Sequence, residues 1–240
     1  MGTTIKERPI LMRAPMVRAL LAGTKTQTRR LVKSQPDDRG LRTTNVPFED
    51  WHGREVKCPY GQPGDRLWVQ EHYYGHGCWL PAGITNTGKP KRRFLASSLE
   101  PDRYLQNPPT AAKEGESIYD RLLTGVAPNR TGYYKRLGRF MPRAACRLLL
   151  EIVAVRVERV QDISEADAKS EGVNLIRTNR FGGEEWENHL DDSAFEYFAK
   201  DSYATLWDKI NGEGSFLGAN PWVWVVEFKV VQGRKEVASA

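Results

Sequence analysis

At 240 residues the chain is long enough for one large domain or two small ones, and either could bury a real core. Its 40% hydrophobic and 28% charged residues exclude a disordered chain, and no apolar run approaches the roughly 20 residues of a membrane-spanning helix. The net charge of +6, 36 basic against 30 acidic residues, permits an anionic partner such as nucleic acid without demanding one. In chain order, residues 9–13 (PILMR) predict a first strand. Pro15 suits a first helical position, and Met16, Val17, Leu20 and Leu21 then share one helical face until Gly23 ends the helix. The next segment, TKTQTRR, is wholly polar: Lys25, Thr26, Gln27, Thr28, Arg29 and Arg30 put hydroxyls, an amide and three cations into six positions. A second strand is expected over 28–33.

Residues 34–60 are polar and proline-bearing and read as loop. The turn signal Pro63-Gly64-Asp65 precedes a strand centred on Leu67–Val69 and ending at Glu71. From His72 to about Arg139 the chain is rich in Gly, Pro, Asn and Thr, with one short helix suggested at 118–123. It predicts a loop-rich insertion, too poor in aliphatic residues for a core of its own. Pattern returns at Cys146. Along the strand beginning there, Ile152, Ala154, Arg156 and Glu158 alternate with Val153, Val155, Val157 and Arg159. Ser164 and Asp167 then form a capping box for a short helix that Gly172 stops. Glu171 therefore sits at a helix C-terminus, an unfavourable place for a carboxylate.

A loop over 174–192, which gathers acidic residues, leads to a helix whose start is read at a second capping box, Ser193 and Glu196. Phe195, Phe198, Tyr203, Leu206, Trp207 and Ile210 would form its core face and Asn211-Gly212 its end. WVWVVEFKVV after Pro221 is the last strand, and 233–240 reads as a tail. The N-terminus lacks the apolar stretch of a signal peptide, and Cys58, Cys78 and Cys146 are expected as thiols. Both point to a cytoplasmic protein with no membrane association.

Cations gather in three clusters: Arg29 to Arg42, Lys89 to Arg93, and Lys135 to Arg143. Tyr133, Tyr134 and Phe140 are interleaved with the last, a combination suited to phosphate contact plus base stacking and equally common in solvated loops. Cys58, His72, His76 and Cys78 have irregular spacing for zinc, so no metal is expected. No phosphate-binding glycine loop and no GxSxG elbow is present, and no cofactor is predicted.

Four blocks in order resemble the ASCH domain of the PUA-like superfamily: LLAGTKTQTRR at 20–30, GQPGDRLWVQE at 61–71, VERVQDISEADAKSEGV at 157–173 and NPWVWVVEFKVV at 220–231. RFMPR at 139–143 and the LWDKINGEGSF-type segment at 206–216 are similar to the phage- and prophage-borne members. The resemblance implies an α+β, mainly β fold: a small β-barrel with flanking helices, one domain over 1–232 carrying the insertion at about 72–139. It implies RNA, DNA or a modified nucleoside as partner. In the amidohydrolase branch, which removes the acyl group from the exocyclic amine of N4-acetylated cytidine, the working residues fall here on Lys25, Thr28 and Glu171, with Arg30 at a further basic position. Thr28 would supply the hydroxyl, Lys25 would accept its proton and Glu171 would pass one to the leaving amine. Arg29, Arg30 and Arg143 are the candidate binding cations, and Glu71 is a rival carboxylate. Strand alternation would put Lys25 and Thr28 on opposite faces unless the chain bends after Gly23. The alternative is a non-catalytic RNA- or DNA-binding module in the same cleft. Ribonuclease action gains little from four histidines that all lie outside the shared blocks.

Overall fold

The run WVWVV forms a strand covered on both faces, with Val223, Trp224, Val225 and Val226 all buried, and it lies beside the central strand of the principal sheet. A computed structural model describes residues 5–36, 39–41, 48–96, 104–105, 122–123 and 131–233. The chain divides into two compact units: Met1–Ile10 with Pro15–Trp68 and Arg147–Ala240, and Leu11–Ala14 with Val69–Cys146.

The first unit is built on a five-stranded sheet of order β1-β5-β11-β15-β2, from β1 (Glu7–Leu11), β2 (Gln27–Leu31), β5 (Arg66–Gln70), β11 (Leu148–Arg159) and β15 (Trp222–Gly233). A two-stranded ribbon, β3 (Phe48–Glu49) with β4 (Glu55–Val56), and a three-stranded sheet, β12 (Leu175–Thr178), β13 (Glu184–Glu187) and β14 (Phe195–Glu196), complete its strands. Its helices are α1 (Ala14–Ala22), most of which lies in this unit, α2 (Glu165–Ser170) and α3 (Ala199–Asn211). Mainly β with few helices is therefore the observed class. The sheets described are open rather than closed into the expected barrel, with β1 and β2 as the free edges of the principal one.

The β11–β15 ladder is antiparallel and shifts register between Ile152 and Ala154, where the exposed Val153 bulges. The bulge matters for the site. It breaks the expected single alternation, sending Ile152 to one face with Phe228 and placing Arg156 opposite Val225 and Glu158 opposite Val223 on the other. That second face carries the unit's apolar cluster: Val223 and Val225 pack with Ala168 of α2, with Tyr203 and Trp207 of α3, and with Trp186. On the first face Trp224 meets the ring of Phe48 edge-on at 4.9 Å.

Helix α3 begins five residues later than the second capping box predicted, with Phe198 rather than Ser193 at its N-cap. Ser193 donates its backbone N–H and hydroxyl to Asp191, and Glu196 accepts from Asn188 while pairing with Trp186 in the sheet. Phe195 and Phe198 are accordingly exposed, leaving Tyr203 and Trp207 as the buried face. The acidic stretch read as loop also contains β12 and β13.

In the second unit, residues expected as loop form strands. β6 (Tyr73–Ile84), β7 (Pro90–Ala96), β9 (Leu122–Leu123) and β10 (Gly132–Arg136) make a sheet of order β7-β6-β10-β9, and β8 (Tyr104–Leu105) also pairs with β6. Glycines made this stretch look unstructured, yet they are what lets its aromatics close. A Cβ at Gly77 would stand 2.8 Å from the Phe94 ring and 2.2 Å from the Leu95 carbonyl oxygen. Leu122–Leu123 is strand, and the rest of the helix expected at 118–123 lies outside the described residues, as does the tail after Gly233. No described helix is long and apolar enough to cross a membrane.

Candidate functional site

Helix α1 ends as its sequence requires. Gly23 takes φ +77°, its N–H bonds the Leu20 carbonyl, and the Thr24 N–H bonds that of Ala19, a Schellman closure. The Lys25 N–H also reaches the Ala19 carbonyl, at 3.2 Å, so the turn delivers Lys25 in one fixed position. The next N–H, of Thr26, bonds the Ser170 carbonyl at the C-terminal turn of α2. From there β2 runs along α2. Lys25, Gln27 and Arg29 all direct side chains to the helix, and Gln27 Nε2 donates to the Asp167 carbonyl at 2.8 Å.

Lys25 Nζ lies 2.9 Å from Glu171 Oε2 and 2.7 Å from the Glu171 carbonyl oxygen, while Arg29 Nη1 holds Glu171 Oε1 at 3.2 Å. These groups are inside the protein: Lys25 is 1% exposed and Glu171 and Arg29 4% each. The unfavourable carboxylate at the α2 terminus is thus answered by two cations, and Lys25 also supplies the positive charge that the exposed carbonyl end favours. Gly172 permits the approach. At φ +80° it comes just after the helix, and a Cβ there would stand 2.8 Å from Ala19 Cβ and 3.0 Å from Lys25 Cβ.

The ladder extends the cluster. Val225 is paired with Arg29 on one side and Arg156 on the other, so two guanidinium groups flank one valine and share carboxylates. Arg29 contacts Glu158 (2.5 Å) and Asp167 (3.2 Å). Arg156 contacts Glu158 (3.0 Å), Asp167 (3.1 Å) and Glu227. The Arg29 guanidinium also lies 5.8 Å from the centroid of the Tyr203 ring.

Burial is the largest influence on Lys25 and lowers its pKa from the ordinary 10.5. Glu171 opposes that shift, and Arg30 and Arg29 add to it. Burial first, then Glu171, hold the Tyr203 phenol well above its ordinary 10.0. For Arg29, burial is outweighed by Glu171, Tyr203 and Glu158, and its pKa is raised. The product is a lysine that sheds its proton more readily than usual, bonded to a carboxylate able to receive or return one.

Thr28 is buried and pairs with Val226, and Arg30 pairs with Trp224. Alternation places both on the face of β2 opposite Lys25, Gln27 and Arg29. Of the predicted catalytic residues, Lys25 and Glu171 are together and Thr28 is across the strand. Arg29 joins them as a partner of Glu171. Glu71, buried, and Arg143, exposed, belong to the second unit. Glu158, Asp167, Arg156 and Tyr203 were not singled out from sequence. The signal for two of them was visible as Arg156-x-Glu158, opposite charges two apart in a strand rich in Leu, Ile and Val. A separate cavity of about 290 Å³ in the first unit is lined by Lys6, Arg8, Phe48, Glu55, Cys58 and Asp65 among others, and by none of the predicted site residues. Among the described residues no cluster of three or more His, Cys, Asp or Glu is arranged to hold a metal, and all three cysteines are free thiols.

Comparison with family models, with curated proteins and with solved structures gave no match.

Proposed function

We propose that this chain is an ASCH-type protein of PUA-like kind that acts on modified nucleosides, hydrolysing the amide of an N4-acylated cytidine with Lys25 and Glu171 as its proton-transfer pair. The single observation that carries this reading is the 2.9 Å contact between the side-chain nitrogen of a fully buried lysine and the carboxylate of Glu171. Burial lowers the pKa of Lys25, the direction that a general base requires. In the reaction, neutral Lys25 takes a proton from the attacking water as its oxygen bonds the acyl carbon. Glu171 relays that proton to the exocyclic nitrogen as the C–N bond breaks, giving a carboxylic acid and cytidine. Because β2 alternates, the reading gives the attack to water rather than to Thr28. Substrate entry requires the protein to open at Lys25, whose side chain has no exposed surface.

A second reading is a non-catalytic module that binds RNA or DNA, and two observations favour it: the closure of the Lys25 cluster and the position of Thr28 on the other face. Here the ion pairs only hold β2 to α2, and cations elsewhere grip phosphates.

The test is release of cytidine from N4-acetylcytidine by the purified protein, with Lys25→Met and Glu171→Gln alongside. The reading expects turnover by the parent and a loss of roughly 100-fold or more in each variant. No release by folded parent protein, or undiminished release by both variants, overturns it. Salt-dependent binding of RNA or DNA without turnover establishes the module.

A further inference from the structure

The sheet of the second unit has two unlike faces. Along β6, Tyr73, Gly75, Gly77 and Trp79 point one way, and the register adds Phe94, Tyr134 and Arg136 to that side. On this side Tyr73 and Tyr134 are buried, and Trp79, Phe94 and Arg136 are half-buried. Trp79, Phe94 and Tyr134 meet edge-to-face with centroids 5.5–6.4 Å apart. The Arg136 guanidinium lies 4.4 Å from the Trp79 ring centroid and 4.5 Å from that of Phe94.

The other face holds Tyr74 and His76 of β6, Tyr133 and Lys135 of β10 and Arg93 of β7. Tyr133 is paired with His76, their rings 4.9 Å apart at 65°, and Lys135 is paired with Tyr74. Arg93 lies further along the same face, opposite Leu80. The three aromatic residues are half-buried, and Lys135 and Arg93 are exposed. His76 Nδ1 is buried, with no hydrogen-bond partner among the described residues. Over residues 72–96 and 131–146 the sequence carries Lys89, Lys91, Arg92, Arg93, Lys135 and Arg136, with further arginines, and no aspartate or glutamate.

We propose that this face of the β6–β7–β10 sheet is a stacking platform for a single-stranded nucleic acid. The exposed cations of this face, Lys135 and Arg93, attract a polyanion, and half-buried rings on a sheet take the faces of unpaired bases. A duplex hides those base faces, so the complementarity is to an unpaired strand. Tyr133 and His76 serve as the stacking pair, and Lys135 and Arg93, at either end of the row, hold phosphates. The surface lies outside the four blocks that resemble the ASCH domain and is independent of whether Lys25 and Glu171 turn over an amide.

The experiment is fluorescence anisotropy of the full chain with labelled 12-nucleotide oligouridylate and oligothymidylate, a duplex of equal length and heparin, over a salt series. Both single strands are expected to bind at least tenfold more tightly than the duplex. Tyr133→Leu weakens them about tenfold with the salt slope unchanged. The exposed double variant Lys135→Gln/Arg93→Gln lowers the slope by about 0.7 for each phosphate no longer neutralised. Turnover of free N4-acetylcytidine, if present, is the same in these variants, which separates this surface from the Lys25 cluster. Equal affinity for duplex or heparin overturns the platform. So does parent-like binding by the double variant, whose exposed positions keep the fold intact where Tyr133→Leu does not.

Discussion

Lys25 holds Glu171 twice, through the carboxylate at 2.9 Å and the backbone carbonyl at 2.7 Å, so one residue neutralises a buried charge and closes a helix end. The two partners are not equivalent when removed. Glu171→Gln leaves Lys25 and Arg29 facing a neutral amide inside the protein, at a cost of about 3–5 kcal/mol, typical of a broken buried pair. Lys25→Met leaves Glu171 still bonded to Arg29 and mainly strands its carbonyl, costing about 1–3 kcal/mol. Urea unfolding of both variants and the double variant measures this. The double variant is expected to cost less than the sum, and strict additivity would show that the contact contributes nothing.

Lysine and tyrosine in this cluster give opposite alkaline signatures. The folded-state pKa of Lys25 is below 10.5, so between that lowered value and 10.5 the unfolded chain binds a proton that the folded chain does not. Unfolding free energy therefore rises with pH across this window, and the burden of burying the charged lysine is full below it. Tyr203, with its pKa raised above 10.0, keeps its proton longer when folded, so its contribution to stability is lost as pH rises beyond that value. Comparing the parent with Lys25→Met from neutral pH upward isolates the lysine. The parent should gain relative to the variant as pH rises towards 10.5, and a flat or falling difference contradicts the assigned sign.

Where a structural decision is local, it could be read from the residues. Gly23 ends α1, Ser164 caps α2 through the Asp167 N–H at 3.0 Å, and the apolar run after Pro221 is a strand buried on both faces. Lys25 and Glu171 could be named as candidates, and β2 alternation correctly warned that Thr28 points elsewhere. What failed depends on partners that the local pattern does not name. Ser193-x-x-Glu196 has the same pattern as a helix start, but Asp191 and Asn188 take its groups. Arg156 and Glu158 reach the site only because the bulge at Val153 shifts their face, and no local pattern announces a bulge in a run of valines. Gly75 and Gly77 looked like loop residues because the Phe94 ring that occupies the space beside both comes from another strand.

Two glycines with nearly the same φ should respond differently to alanine. At Gly23 (+77°) an added Cβ would meet nothing within 4 Å, so Gly23→Ala incurs only the left-handed penalty of about 1–2 kcal/mol. Gly172 (+80°) would place its Cβ 2.8 Å from Ala19 Cβ and 3.0 Å from that of Lys25. Overpacking there adds roughly 1–3 kcal/mol and pushes α2 away from β2. Thermal unfolding of the pair is the check. Equal destabilisation would mean that α2 can move off α1 and Lys25 without loss.

Helix α3 is capped from another helix, and this can be tested by moving the cap. Phe198 stands at its N-cap with no side-chain bond, and the Glu165 carboxylate of α2 accepts from the N–H groups of Ala199 (2.5 Å) and Lys200 (3.1 Å) instead. Glu165→Ala should therefore destabilise the protein by about 0.5–2 kcal/mol, as loss of an ordinary cap does. Phe198 is 61% exposed, with extended backbone at φ −125° and ψ 141°, so an aspartate fits there with little packing lost. Adding Phe198→Asp to Glu165→Ala should recover about 1 kcal/mol by supplying the missing acceptor locally. Urea unfolding of the two variants decides between a cap and a tether. Recovery assigns Glu165 to capping, whereas no recovery means that its role is to join α2 to α3, which a local aspartate cannot replace.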